Sequence, residues 1–341
     1  MDNIIRFINE YLNSIVIIIS IVGFIGTPIL YFWRIRRWKR DKVRQLDDLY
    51  GNGNEAIRFL NSSYYIPINY QTTKPHDVYK DSLNKSPNNT SIDVPERGPL
   101  VQKILDDILK SNIKKRYMIL GGSGMGKSTF SASLYASILN HYKLRKCPFP
   151  IYICSLFDSG IFTRLNQISN EIIQSKQNIN EAVIILDGLD ENAEAASNYK
   201  SFLSDIESAT KSFRVVVITS RTQLFPHEDH EPTKTKIMFT AGNGNVIEYD
   251  KYYISPFSKD ETEKYIKYKY KDDPIKYNGA INILDKTKDL VSRPMVLSSI
   301  DGLIHLSDKH NLSLTEVYLA IVEYWRERDN MVKGMVWSAS M

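Results

Sequence analysis

The sequence predicts an α/β protein in which a parallel sheet is followed by a small C-terminal helical domain and preceded by one transmembrane helix. Three observations predict it. Short aliphatic runs, YMIL at 117–120, AVIILD at 182–187 and RVVVIT at 214–219, are continuous rather than alternating, the pattern of strands covered on both faces. A glycine-rich turn, GGSGMGKS, joins the first run directly to a helix-forming stretch. The amino end carries 23 consecutive residues without a charge.

At 341 residues the chain has room for about two domains. With 43% hydrophobic and 24% charged residues it is excluded from the collagen-like, coiled-coil and wholly disordered classes. Its net charge of +5 is concentrated in one place: residues 34–44 hold Arg34, Arg36, Arg37, Lys39, Arg40, Lys42 and Arg44 against Asp41, so the remaining 330 residues sum to −1. No basic face is left to follow a phosphate backbone, and nucleic acid is not expected as a partner. The two cysteines, Cys147 and Cys154, make neither a disulfide framework nor a four-ligand zinc site and are read as core thiols of a reducing compartment.

Residues 11–33, YLNSIVIIISIVGFIGTPILYFW, are long enough as a helix to span the roughly 30 Å hydrocarbon core. Tyr11 at one end and Tyr31, Phe32 and Trp33 at the other stand where interfacial aromatic belts form. A secretory signal carries its positive charge before the apolar run, whereas here the cluster follows it. By the positive-inside rule that cluster stays cytoplasmic and touches anionic lipid. A single-pass protein of the inner (cytoplasmic) membrane is therefore expected, amino terminus out and body inside. Residues 34–97 read as a basic juxtamembrane segment and linker, rich in Asn, Ser, Thr and Pro beyond residue 61, with one short strand at 64–69. A 3.6-residue period returns at 100–109 through Leu100, Ile104 and Ile108 and predicts a helix leading into the sheet.

The turn at 121–128 satisfies G-x-x-x-x-G-K-[ST], the phosphate-binding loop of P-loop NTPases. Gly121, Gly122, Ser123, Gly124, Met125 and Gly126 present backbone N–H groups to phosphate oxygens, and Lys127 adds a point charge. Ser128 and Thr129 open the helix, whose positive dipole end points at the same place. The second run delivers Asp187 at its carboxyl end, where an acid joins Ser128 in holding Mg²⁺. Asp190 and Glu191 follow as candidates to orient or deprotonate an attacking water. Arg221, just past the third run, is placed to reach a γ-phosphate. The histidines and acids of FPHEDHEP at 225–232 lack a helix to gather them on one face and read as a solvated loop, and the tyrosine-rich stretch 265–271 reads as an amphipathic packing helix.

The set GGSGMGKST, AVIILDGLDE and VVVITSR, in this order, resembles the NACHT family of STAND signalling ATPases, relatives of the AAA+ class. YISPF at 253–257 looks like that family's exit from the last strand into a first helical domain, and SRPMVL at 292–297 resembles its proline motif, which implies that Pro294 packs on adenine. The resemblance implies an NTPase domain at 98–255, a helical domain at 256–330 and a tail at 331–341. Family members continue into a winged helix and a repeat sensor, both expected to be absent from a chain ending at Met341.

The resemblance further implies ATP and Mg²⁺ as ligands, slow switch-type hydrolysis, homo-oligomerisation on activation and a phage-derived trigger or separate sensor protein. Antiphage defence by membrane perturbation is the expected purpose. The rival expectation is a membrane-tethered scaffold with structural nucleotide and no productive turnover. A KAP-type ATPase, with membrane segments inside its catalytic domain, is disfavoured because no sufficiently long apolar run lies between Lys127 and Asp187.

Overall fold

Strands of this apolar character pair side by side where helices cover both faces, and the computed structural model of the chain has that architecture. It describes residues 43–47, 53–63, 65–75, 96–110, 113–143, 150–224, 236–240, 246–306, 313, 315–324 and 326. The expected transmembrane helix at 11–33, most of the basic cluster, Cys147, the loop at 225–232 and the tail at 331–341 lie outside the described residues. Among the described residues no helix is long and apolar enough to cross a membrane. The chain divides into two units, 1–56, where residues 43–47 are helical, and 57–341, which holds the sheet and the helical domain.

Among the described residues eight strands form one sheet: β1 (Asn69–Gln71), β2 (Arg97–Pro99), β3 (Lys115–Leu120), β4 (Ile151–Ser155), β5 (Val183–Asp187), β6 (Val215–Ser220), β7 (Lys236–Thr240) and β8 (Val246–Ile254). Their order is β2-β1-β8-β3-β6-β5-β4, with β7 paired to β8. The five neighbours β8, β3, β6, β5 and β4 run parallel, while β1, β2 and β7 add antiparallel edges. β6 therefore separates the strand that leads into the glycine loop from the strand that ends in Asp187. The registers Leu120↔Ser220 and Leu186↔Ile218 bring the carboxyl ends of all three strands to one edge of the sheet. Ligands of open α/β sheets bind at such an edge.

The helices explain why these strands are apolar on both sides. On one face α4 (Ile161–Gln174) and α5 (Ala193–Thr210) bury Leu165, Ile168, Ile172, Leu203 and Ile206 with Met118, Leu120, Ile184, Leu186, Val216 and Ile218. The alternate strand residues, Tyr117, Ile119, Ile185 and Val217, are buried as fully. α3 (Lys127–Lys143) packs on β4, β5 and β6, and α2 (Leu100–Lys110) packs on α3. The period read at 100–109 places Leu100, Ile104, Leu105 and Ile108 in the core. Asn192 starts α5 by accepting from the N–H groups of Glu194 and Ala195, while its amide donates to the Leu156 carbonyl at 2.8 Å. Cys154 is buried in β4.

Past β8 the chain enters a small helical domain of α6 (Lys259–Lys269), α7 (Pro274–Lys286), α8 (Lys288–Val291), α9 (Pro294–Ser298) and a helix at 315–324. Its core gathers Tyr265, Ile266, Ile283, Val296, Leu297, Ile300, Val317 and Ile321. Tyr265 and Ile266 point inward and Tyr268 outward, the amphipathic arrangement expected for the tyrosine-rich stretch. Ser258 and Glu261 close a reciprocal capping box at the start of α6.

The structure corrects the linker reading at 65–71. The expected strand at 64–69 begins later, at Asn69, and this segment is part of the sheet rather than a tether: β1 pairs with β8 on one side and β2 on the other. The alternation Ile66, Ile68, Tyr70 is buried while Pro67 is exposed, so one face of the segment is core. Glu261 ties this edge to the helical domain, accepting from the Asn69 amide and pairing with Arg97 at 2.7 Å.

Candidate functional site

The glycine loop turns sharply between β3 and α3 because two of its residues take backbone conformations open to glycine. Gly124 has φ +72° and Gly126 φ +90°. A side chain at Gly124 would also meet Met295 Cβ at 2.8 Å, and the Gly124 carbonyl accepts from the Met295 N–H at 3.1 Å. The loop is thus latched to the start of α9 in the helical domain. Lys127 folds back to donate to the Gly121 and Gly122 carbonyls at 3.2 and 3.4 Å. Burial pushes its ammonium pKa down; Asp190, Asp187 and Glu191 oppose that, and the Arg221 charge adds to it.

A cavity of about 380 Å³ opens above the loop. Its lining includes the loop residues Ser123 to Thr129 with Glu191 and Arg221. Apolar and aromatic side chains complete the lining: Phe59, Tyr65, Ile66, Ile68, Phe257, Tyr265, Pro294, Met295 and Leu297. Phe59 belongs to α1 (Gly53–Leu60), and it meets Tyr65 edge-on with ring centroids 5.6 Å apart. Gly121 and Gly122 stand outside the lining and serve as acceptors for Lys127. Pro294 lines the cavity beside Gly126.

A hydrogen-bonded cluster is centred on Asp187, which is 8% exposed. Its Oδ1 accepts from Ser131 Oγ at 2.7 Å and from Thr219 Oγ1 at 2.7 Å. Thr219 Oγ1 in turn accepts from the Gly188 N–H at 2.9 Å. Ser131 and Thr219 were not predicted as site residues. Ser131 sits one turn after Lys127, and Thr219 faces Asp187 only because β6 lies beside β5. Ser128 is exposed at the cavity on the same helix, three residues before Ser131.

Asp190 and Glu191 have different surroundings. Asp190 is 9% exposed at its side chain, and both its oxygens are engaged by Arg221: Oδ1 accepts from the backbone N–H at 2.8 Å and Oδ2 from Nε at 2.9 Å. It anchors the arginine and is not placed as a free base. Glu191 is exposed at the cavity and accepts no hydrogen bond among the described residues.

The donor set fits a hard divalent cation shared with phosphates. Asp187 and Ser128 are oxygen donors, and Oδ2 of Asp187 accepts no hydrogen bond among the described residues. No group of three or more metal-ligating side chains occurs among those residues either. Magnesium is ordinarily held in this way, by one or two protein oxygens together with substrate phosphates and water. The arrangement suits a polyanion at the amino end of a helix, in a cleft that also offers apolar side chains.

No family model and no curated protein sequence matches the chain. Solved structures are similar to it at low identity. The ORC2 protein of Aeropyrum pernix, in ADPNP–ADP complexes, is 13% identical over 66% of this chain and 66% of that one, with a TM-score of 0.39. The ORC1 protein of Aeropyrum pernix in complex with DNA is 10% identical over 68% and 66%, with a TM-score of 0.40. Domain III of the Thermotoga maritima replication initiation protein DnaA is 12% identical over 66% and 90%, with a TM-score of 0.35. The matched region spans about two thirds of the length of either Aeropyrum protein.

Proposed function

We propose that the chain is a membrane-anchored ATP-binding switch of the NACHT type that hydrolyses its nucleotide slowly. The observation that carries the nucleotide assignment is the cavity at the glycine loop, whose lining combines phosphate-binding and apolar residues. The loop 123–129, Lys127 and Arg221 suit a triphosphate, and Tyr65, Ile66, Ile68, Pro294 and Leu297 suit a base. ATP rather than GTP follows from the family resemblance and from the absence of an N-K-x-D motif in the sequence. Ser128 and Asp187 would hold Mg²⁺, which supplies charge neutralisation on the β and γ phosphates when bound.

In this reading Lys127 leaves the Gly121 and Gly122 carbonyls to meet phosphate oxygens, and the α3 amino terminus adds its dipole. Glu191 orients or deprotonates the attacking water, the role that the Arg221 pairing denies to Asp190. Arg221, held through Asp190, stands ready to stabilise charge on the γ-phosphate. The apolar run 11–33 and the basic cluster after it support an inner-membrane anchor with a cytoplasmic body. Triphosphate-driven homo-oligomerisation would cluster those anchors, and the NACHT resemblance suggests antiphage defence by membrane perturbation, set off by a phage-derived trigger or a separate sensor.

The test is ATP binding and turnover by the full chain beside Lys127→Ala and Glu191→Gln. Lys127→Ala is expected to abolish measurable binding, and Glu191→Gln to keep binding while lowering turnover by about 100-fold. ATP retained without turnover in every version assigns the chain to the scaffold reading instead, with nucleotide as a structural part.

A further inference from the structure

Asp187 is a buried carboxylate whose two oxygens are treated differently by the fold. Ser131 Oγ and Thr219 Oγ1 both donate to Oδ1, each at 2.7 Å, and Oδ2 receives no donor among the described residues. The direction of donation is fixed. Thr219 Oγ1 accepts from the Gly188 N–H at 2.9 Å, so its single proton goes to Asp187. Ser131 Oγ, fully buried on α3, likewise spends its proton on the carboxylate. The carboxyl group is thus clamped from two elements, α3 on one side and β6 on the other, and the Gly188 bond polarises the threonine further.

We propose that Ser131 and Thr219 are positioning residues that prepare Asp187 for a divalent cation: they saturate Oδ1, fix the plane of the carboxyl group, and leave Oδ2 as the metal-directed oxygen. This rests on the Mg·ATP reading and deepens it. A clamp on a ligating carboxylate acts through the ligand, and loss of such a partner ordinarily weakens metal binding by 10- to 100-fold. A merely structural pair of hydroxyls would instead change stability without singling out the metal. Because Ser131 lies three residues past Ser128 on α3, the clamp also sets how far Asp187 stands from the second proposed ligand.

The experiment uses the full chain with Mn²⁺ as a spectroscopic stand-in for Mg²⁺. It compares wild type, Ser131→Ala, Thr219→Val and the conservative Thr219→Ser. ATP affinity is measured in chelator, and Mn²⁺ affinity of the ATP-loaded protein by electron paramagnetic resonance. Ser131→Ala and Thr219→Val are expected to weaken Mn²⁺ binding by about 10-fold each, with metal-free ATP affinity unchanged and Thr219→Ser close to wild type. Wild-type Mn²⁺ affinity in both hydroxyl-free variants overturns the proposal. So does an equal loss of metal-free ATP affinity, which marks a structural role. A wild-type chain that takes up no ATP overturns the nucleotide reading together with this one, whereas metal-insensitive variants of an ATP-binding chain overturn this one alone.

Discussion

Lys127 shows how one side chain is conditioned by its surroundings before any ligand arrives. Burial disfavours its charged form, and the Arg221 guanidinium adds to the effect against the pull of Asp190, Asp187 and Glu191. The free protein therefore releases this proton at lower pH than an ordinary lysine, and a phosphate set against it restores the proton. Nucleotide affinity is expected to fall as pH rises through the lowered free-state value of this lysine. Binding should take up protons over the same range. Stability without nucleotide has the opposite sign, since the unfolded lysine keeps its proton longer and the folded state gains as pH rises. Titration calorimetry across the alkaline range, in two buffers of different ionisation enthalpy, reads the proton count directly. Equal heats in both buffers would place Lys127 away from the phosphates.

Among the elements, the edge formed by β1, β2 and α6 depends on Glu261. It returns a carboxylate oxygen to the Ser258 N–H, accepts from Asn69, and pairs with Arg97, so one side chain caps α6 and fastens two strands. Glu261→Ala is expected to cost about 1–2 kcal/mol, most of it the cap. Glu261→Gln keeps an acceptor for the cap and loses the charge against Arg97, a half-exposed pair, for less than about 1 kcal/mol. Equal losses for the two variants in denaturant unfolding would move the contribution from the cap to the ion pair. Within single elements the chain was legible: the 121–128 loop, the strand ending in Asp187 and the Leu100, Ile104, Ile108 face all follow from local spacing. Ser131 and Thr219 were not legible, because the chain has many Ser and Thr residues. What selects these two is the strand order that sets β6 against β5. The 65–71 segment was misread for a related reason. Its alternation is three apolar residues long, and a pairing with β8, nearly two hundred residues away in sequence, makes it structure.

For the molecule as a whole, the cavity joins parts that are distant in sequence. Its walls come from the segment before β1, from the loop after β3 and from α9, so a nucleotide bound there contacts the sheet and the helical domain together. The Gly124 to Met295 hydrogen bond and the Glu261 contacts already fasten the two in the free chain. Ligand binding to such a site stabilises both parts by mass action, by about 2.7 kcal/mol at a hundredfold excess over Kd. For a chain of this size that corresponds to a rise in Tm of roughly 5 °C. Calorimetric scans with and without Mg·ATP are expected to show the unfolding of the sheet and of the helical domain moving up together, with no shift for Lys127→Ala. A rise confined to one of two separate transitions would mean that the nucleotide is held by the phosphate loop alone. Pro294, Met295 and Leu297 would then line the cavity without gripping its contents, and α9 would lose its place in the proposed switch.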